Sequence, residues 1–156
     1  MAETDNAIAM LEDDHERLQE LLGQLEQTTE RATRTRTDLL ATIAAEIRVH
    51  AELEETHFYP AYRDAVEQKE ERAMYFEAVE EHHVVHLLLP ELEKTDVSSE
   101  EFAAKAKVLK EIIEHHIEEE EAQMFPSARK AMSKDDLAEL GQRMAQRKTE
   151  LMAAVR

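Results

Sequence analysis

The sequence HAELEETHFYP (residues 50–60) returns 66 residues later as HIEEEEAQMFP (residues 116–126). Three chemically distinctive positions keep their identity across that offset: His50 and His116, Glu54 and Glu120, Pro60 and Pro126. The repeat also includes apolar positions at helical spacing before each histidine, where Ile43 and Ile47 correspond to Leu109 and Ile113. A repeat that preserves both a core stripe and a polar pair predicts two equivalent helices.

A second repeat joins two other segments at an offset of 67 residues. Its members alternate three and four residues apart, as one face of a helix requires: His15, Leu18, Leu22 and Leu25 correspond to His82, Val85, Leu89 and Leu92. The chain is therefore predicted to be a duplicated helix pair, folded so that equivalent helices face each other around one centre.

The composition places the chain in the all-α class. Only two glycines and three prolines interrupt a sequence rich in residues of high helix propensity. At 156 residues and 42% hydrophobic content, the chain is long enough for one domain with a core. We predict an up-down-up-down four-helix bundle over residues 1–132, with an additional C-terminal helix over residues 133–156 packed on the same domain.

Capping residues and prolines predict where the helices begin and end. The predicted starts are Thr4 or Asp5 for the first helix, Thr37 or Asp38 for the second, Glu70 for the third, Ser98 with Glu101 for the fourth, and Ser133 with Asp136 for the fifth. Pro90 marks the last turn of the third helix, near Leu89. After Pro60 we expect either a continued, kinked helix or a separate short one.

Histidines and glutamates occupy positions where a bundle core requires aliphatic residues. Residues four apart on a helix lie about 40° apart in projection, so each such pair points inward together. Buried polar groups without partners cost free energy, and a shared metal would compensate several of them at once. The predicted metal ligands are His15, His50, Glu54, His82, His86, His116 and Glu120. Two choices between neighbours stay open: His115 or His116, and His82 or His83.

The donor types restrict the metal. Because the chain has no cysteine, a metal must be held by nitrogen and oxygen donors. Zinc is usually satisfied by four ligands, and magnesium or calcium would take more oxygens and fewer imidazoles. Five imidazoles with two carboxylates that could bridge cations therefore favour two metals, with iron as the best candidate.

These motifs resemble the hemerythrin family and its histidine-histidine-glutamate (HHE) cation-binding relatives over roughly residues 5 to 130. Members of that family are similar in their order of motifs: a lone histidine, HxxxE, then HxxxH or a single histidine, and last a histidine with a carboxylate. Here these are His15, His50 with Glu54, His82 with His86, and His116 with Glu120. The resemblance implies a cofactor of two non-haem iron ions, oxo- or hydroxo-bridged and joined by the two carboxylates. It also implies a small diatomic or peroxide ligand, as in oxygen, iron or nitric oxide sensing or storage, or in peroxide decomposition.

The fourth helix departs from the oxygen-carrying members, in which an aspartate follows the histidine by five residues. His115 with Glu120 would reproduce that spacing, whereas the internal repeat favours His116 with Glu120. Reversible oxygen storage is therefore a weaker expectation than di-iron binding.

Two other functions fit parts of the sequence. A ferritin-like di-iron oxidase is suggested by three ExxH pairs, which are Glu12 with His15, Glu54 with His57, and Glu80 with His83. The fourth helix lacks such a pair, since isoleucines stand three residues before both of its histidines. A metal-free helical module that docks a basic partner is the alternative from a different class.

Charge and hydropathy restrict the partners and the location. The formal net charge of −17 disfavours nucleic acid and anionic membrane surfaces as partners. No apolar run approaches the roughly 20 residues needed to span a bilayer, and the acidic N-terminus does not resemble a signal peptide. We expect a cytoplasmic protein, whose fifth helix offers a surface for a homodimer.

Overall fold

The computed structural model describes residues 6–155, which form five helices joined by short loops. The helices are α1 (Ala7–Glu26), α2 (Thr33–Leu53, continuing through Glu54–Phe58 and Tyr59–Ala65), α3 (Lys69–Glu93), α4 (Glu100–Glu119, continuing through Glu120–Met124 and Phe125–Ala131) and α5 (Lys134–Ala154). α1 packs against α2 and α4, and α3 packs against α4, which closes a four-helix bundle. Within residues 6–155, no helix combines the length and apolar character needed to cross a membrane.

The starts of three helices differ from the predicted ones. The positions predicted for α1, Thr4 and Asp5, lie outside the described residues, and the Asn6 side chain accepts a hydrogen bond from the N–H of Ala9 at 2.8 Å. α2 begins at Thr33, about a turn before the predicted threonine, with no side-chain cap. Because no side chain caps this start, a prediction from capping residues could not locate it.

The predicted caps of the fourth and fifth helices had different outcomes. α4 is capped by Ser99, whose Oγ accepts from the N–H of Phe102 at 3.1 Å, and not by Ser98. The Ser98 hydroxyl and N–H both donate to Asp96 in the preceding turn, which leaves the next serine for the helix. The capping box of Ser133 with Asp136 is confirmed at the start of α5.

α2 and α4 both continue through their prolines. In each helix a five-residue π-helical segment begins at the glutamate of the repeat and ends just before the residue that precedes the proline. The N–H of Tyr59 bonds the carbonyl of Glu54, five residues back, and Phe125 bonds Glu120 in the same way. The wider turn accommodates the proline ring, which would clash with a carbonyl of a regular α-helix. The internal repeat thus includes the backbone geometry.

The apolar interior forms two clusters, one on each side of a polar layer. One cluster fills the end of the bundle near the interhelical loops of α1–α2 and α3–α4, and includes Leu18, Leu22, Ile43, Leu89 and Leu109. The other contains Ile8, Leu11, Leu53, Phe58 and Phe125 together with Leu137, Leu140 and Met144 of α5. α5 therefore completes the second cluster, packing against α1 and α2. The polar layer between the clusters contains the histidines and glutamates of the two repeats.

A buried arginine ties together the loops at the first end of the bundle. Arg36 of α2 donates from Nε to the Thr28 hydroxyl at 2.9 Å and from Nη1 to the carbonyl of Val97 at 2.5 Å. Its guanidinium also lies 5.3 Å from the ring centroid of Phe102. One side chain thereby joins the α1–α2 loop to the α3–α4 loop.

We expect Arg36→Met to lower the free energy of unfolding by about 2 kcal/mol, because two partly buried loop groups lose a charged donor. Urea denaturation followed by circular dichroism measures the change. Arg34→Met on the same helix is the control, since that side chain is 94% exposed and should change stability by no more than about 0.5 kcal/mol. Equal effects of the two substitutions would contradict the role given to Arg36.

Candidate metal centre

Six of the seven predicted ligand residues are buried together in the polar layer. They come from all four bundle helices: His15 from α1, His50 and Glu54 from α2, His82 from α3, and His116 and Glu120 from α4. Apolar residues lie above and below them. Such a concentration of ionisable groups in a core is costly unless they have partners.

One group of donor atoms consists of His15, His50, Glu54 and Glu120, whose ligand atoms all lie within 4.8 Å of one another. The Nε2 of His15 is 3.0 Å from Oε1 of Glu120, and the Nε2 of His50 is 3.2 Å from Oε1 of Glu54. Among the described residues, the buried side-chain atoms that make no well-aligned hydrogen bond all belong to this group, although His15 Nε2 and His50 Nε2 lie close to carboxylate oxygens: His15 Nε2, His50 Nε2, Glu54 Oε2 and Glu120 Oε1. Unpaired buried donors that face one point are what a metal cation would satisfy.

A second group consists of Glu54, His82 and His116, and so shares its carboxylate with the first. Oε1 of Glu54 lies 3.0 Å from Nε2 of His82, which lies 3.2 Å from Nε2 of His116. Glu120 also reaches this side, with Oε2 3.4 Å from Nε2 of His116. Each glutamate therefore faces both pairs of imidazoles, an arrangement suited to two neighbouring cations.

Tyr59 is a polar residue of the centre that the sequence interpretation assigned to the ordinary core. Its hydroxyl donates to Oε2 of Glu120 at 2.6 Å and lies 3.1 Å from Nε2 of both His82 and His116. Burial and the charges of the two glutamates raise the pKa of Tyr59 well above its usual value. The repeat contained a signal, because Tyr59 corresponds to Phe125 and the hydroxyl breaks the equivalence.

The other ring nitrogen of every buried histidine faces a carboxylate. The Nδ1 atoms lie 2.8 Å from Glu121 for His15, 2.9 Å from Asp14 for His50, 2.7 Å from Glu55 for His82, and 2.6 Å from Glu81 for His116. These bonds fix each ring so that Nε2 points to the centre, as the outer partners of metal-binding histidines do.

The carboxylates that hold the rings are also related to one another by the two repeat offsets. Glu55 and Glu121 are related by the offset of 66 residues, and Asp14 and Glu81 by the offset of 67. Each histidine is thus oriented by a residue from a neighbouring helix of the bundle. These four residues were absent from the predicted site, although their repeat spacing was visible in the sequence.

The structure does not bring His86 into the buried cluster. Its side chain is 42% exposed, and Nε2 lies 2.9 Å from Oε2 of Glu55, the same oxygen that faces His82. His86, His82 and Glu55 nonetheless form a third group of possible ligand atoms within 4.8 Å of one another, so the role of His86 as a metal ligand stays a prediction. The counterpart of His86 in the repeat, Gln19, is also exposed.

Burial distinguishes the two members of each pair of adjacent histidines. The His116 side chain is 9% exposed and faces the centre, whereas the His115 side chain is 63% exposed and lies 2.6 Å from Glu119. His82 is likewise inside, and His83 is exposed beside Glu80. Neighbouring residues on a helix point about 100° apart, so only one of each pair can face inward.

The electrostatics of the metal-free centre favour charged side chains. Burial opposes the charged imidazole of His50, but the charge of Glu54 and the hydrogen bond to Asp14 raise its pKa to about 10. Burial likewise opposes the charge of Glu54, but the charge of His50 and bonds from three imidazoles lower its pKa well below the usual value. Without a metal, the centre therefore holds imidazolium protons that compete for the positions of cations.

Comparison with known proteins gives matches in one family. The model of the Hemerythrin HHE cation binding domain matches residues 6–128. A solved structure of a hemerythrin HHE cation binding domain-containing protein from Mycobacterium kansasii is similar to 96% of this chain and 88% of that chain, with a TM-score of 0.82 and 25% identity. No curated protein matches the chain at a significant level.

The matched range contains all six buried donor residues and the four bundle helices, except for the last residues of α4. The structural similarity confirms the predicted hemerythrin-like helical fold, and the family match confirms the resemblance inferred from the order of the motifs. The chain belongs to the hemerythrin HHE cation-binding domain family.

Proposed function

We propose that this protein binds two non-haem iron ions and that the loaded centre binds dioxygen or a related small ligand. The observation that carries the proposal is the set of four unpartnered buried ligand atoms beside a second donor group that shares Glu54. Two cations bridged by carboxylates would satisfy all of these atoms at once. The mixture of imidazole nitrogens and carboxylate oxygens supports iron over magnesium, calcium or a thiolate-bound metal.

The proposed ligands of one iron are His15 and His50, and those of the other are His82 and His116. Glu54 and Glu120 would be shared between the two. When bound, an iron pair supplies Lewis acidity and one-electron redox chemistry to a small ligand. The tyrosine hydroxyl that lies against the second pair of imidazoles is an additional oxygen donor on that side.

An apolar cavity beside the imidazoles supports a small uncharged ligand. The cavity measures about 40 Å³, and its walls include aliphatic side chains from all four bundle helices: Leu18, Ile47, Val85, Ile113 and Ile117. A space of this size can hold a small molecule such as a diatomic gas. Histidine rings complete the lining, but most of the surface that faces the cavity is apolar, which favours an uncharged ligand such as dioxygen or nitric oxide.

Tyr59 can hold a proton at the centre. Since its pKa lies well above the usual value, the phenol remains protonated at neutral pH and donates to Glu120. A hydroxyl in this position could donate a hydrogen bond to a peroxide substrate or return a proton to the carboxylate. Peroxide decomposition is therefore a second activity that the site supports.

The alternatives weighed from the sequence have less support. A ferritin-like oxidase would need the ExxH carboxylates inside, but Glu80 is exposed and Glu12 pairs with Arg129 outside the polar layer. A metal-free interaction module would leave the four unpaired atoms of the core unexplained. The proposal of a di-iron centre accounts for both observations.

We expect His116→Ala to reduce bound iron from two ions per chain to one or fewer, with helicity kept. His115→Ala is the matched control, because the adjacent imidazole points to solvent and should leave the iron content unchanged. Iron is measured by metal analysis after anaerobic ferrous loading, and helicity by circular dichroism. Full iron content in His116→Ala, and also in His50→Ala, would refute the proposed ligand set.

Metal binding should release protons, so we expect its affinity to increase with pH. His50 has a pKa of about 10 in the metal-free protein, compared with about 6.5 when unfolded, and must lose its proton to bind a cation. The apparent affinity should rise about tenfold per pH unit for each proton released. Calorimetry of ferrous or cobaltous ion binding, in buffers with different protonation enthalpies, counts these protons; pH-independent binding would contradict the expectation.

The raised pKa of His50 also predicts that the stability of the metal-free protein decreases with pH, whereas its affinity for metal increases. A folded pKa above the unfolded value means that the charged imidazole of His50 stabilises the fold fully below about pH 6.5. This contribution is lost as the pH rises through about 10. We expect the melting temperature of the metal-free protein to fall between pH 7 and pH 10, and calorimetric melting shows whether it does; a His50→Gln variant should show a weaker fall.

A further inference from the structure

The C-terminal helix reaches the proposed centre through Lys148. The Nζ of Lys148 donates to Oδ1 of Asp14 at 2.6 Å, and Oδ2 of the same carboxylate lies 2.9 Å from Nδ1 of His50. Asp14 and His50 are buried, while the Lys148 side chain is 33% exposed. Two consecutive hydrogen bonds through Asp14 therefore connect the surface of α5 to a proposed metal ligand.

This lysine has no equivalent in the other half of the centre. The counterpart of Asp14 is Glu81, which faces His116 at 2.6 Å and has the exposed His115 at 3.7 Å on its other oxygen. Among residues 6–155, the remaining two carboxylates that hold the rings, Glu55 and Glu121, form ion pairs only with histidines. Lys148 thus introduces an asymmetry into a pair of half-sites that are otherwise related by the repeat.

α5 does not need Lys148 in order to dock. The helix is anchored by Leu137, Leu140 and Met144, which are buried in the second apolar cluster. Arg147 adds an ion pair with Glu52 of α2 at 3.0 Å. The lysine can therefore be replaced without removing the contacts that hold the helix, and its position at Asp14 calls for another explanation.

We propose that Lys148 is a positioning residue that makes the two metals electronically different. This proposal rests on the proposed function. A carboxylate that accepts from a ligating imidazole increases the electron donation of that ring to the metal. The ammonium group of Lys148 draws charge from Asp14, so His50 donates less than His116 does. The metal at His15 and His50 therefore holds its electron more readily than the metal at His82 and His116.

The family match ends at residue 128, so Lys148 lies beyond the matched domain. A cation supplied by the appended helix would adjust a site that the four-helix bundle has already built. The side chain also lines a groove between α1 and α5 with Met10, Thr149 and Met152, so solvent and salt reach it. The influence of the lysine on the centre is consequently moderate, and it decreases at high ionic strength.

The test compares the reduction of iron-loaded wild type with that of Lys148→Met, which keeps most of the stem and removes the charge. Changes to the outer partners of metal-binding histidines typically alter metal affinity by about tenfold or more. In Lys148→Met, we expect the ratio of oxidised to reduced metal at a given applied potential to rise about tenfold for one of the two reduction steps. For a one-electron couple this is about 59 mV to lower potential. The other step should keep its position.

Two variants and the iron content complete the test. Lys148→Arg keeps the charge and should restore the wild-type potentials, and Arg147→Met removes a neighbouring cation that pairs elsewhere and should change neither step. If Lys148→Met holds two irons and neither potential falls, the inference is overturned. If the wild-type protein holds no iron after ferrous loading, the proposed function itself fails, so the two failures are distinguishable.

Discussion

The structure depends on one constraint: four imidazoles and two carboxylates are buried in a single layer between two apolar clusters. Each such group would cost several kcal/mol if it were left without a partner. The protein satisfies one side of every imidazole with a carboxylate from a neighbouring helix and directs the other side to a common centre. The direction of the rings, the choice of helix faces and the positions of the acidic residues all follow from that constraint.

The duplicated helix pair explains why the arrangement is nearly symmetric. Both π-helical segments begin at a glutamate of the centre, so the repeat places the carboxylates and the backbone irregularity together. π-helical segments are frequent at functional sites, where they change the direction of side chains relative to a regular helix. Here the wider turn brings the Tyr59 hydroxyl next to Glu54 and Glu120.

The departures from symmetry are functionally the most informative positions. In the repeat, Tyr59 corresponds to Phe125 and His86 corresponds to Gln19. Lys148 contacts only one of the two equivalent acidic residues, Asp14. Each of the three lies on one side of the centre: Tyr59 against His82 and His116, His86 beside Glu55, and Lys148 at Asp14. These differences come from single side chains on an otherwise repeated frame.

Periodicity and repeat spacing in the sequence determined the helical class, the duplication, and six buried donors at the centre, because helical geometry makes residues four apart share a face. Tertiary structure decided what spacing cannot encode. His86 has the correct period, yet the position of α2 beside α3 gives it Glu55 at the surface. His116 and His115 were separated only by the way α4 packs. Asp14, Glu81 and Lys148 look like ordinary solvated charges in the sequence. Contacts between helices that are distant in sequence bring the two carboxylates to the imidazoles and Lys148 to Asp14.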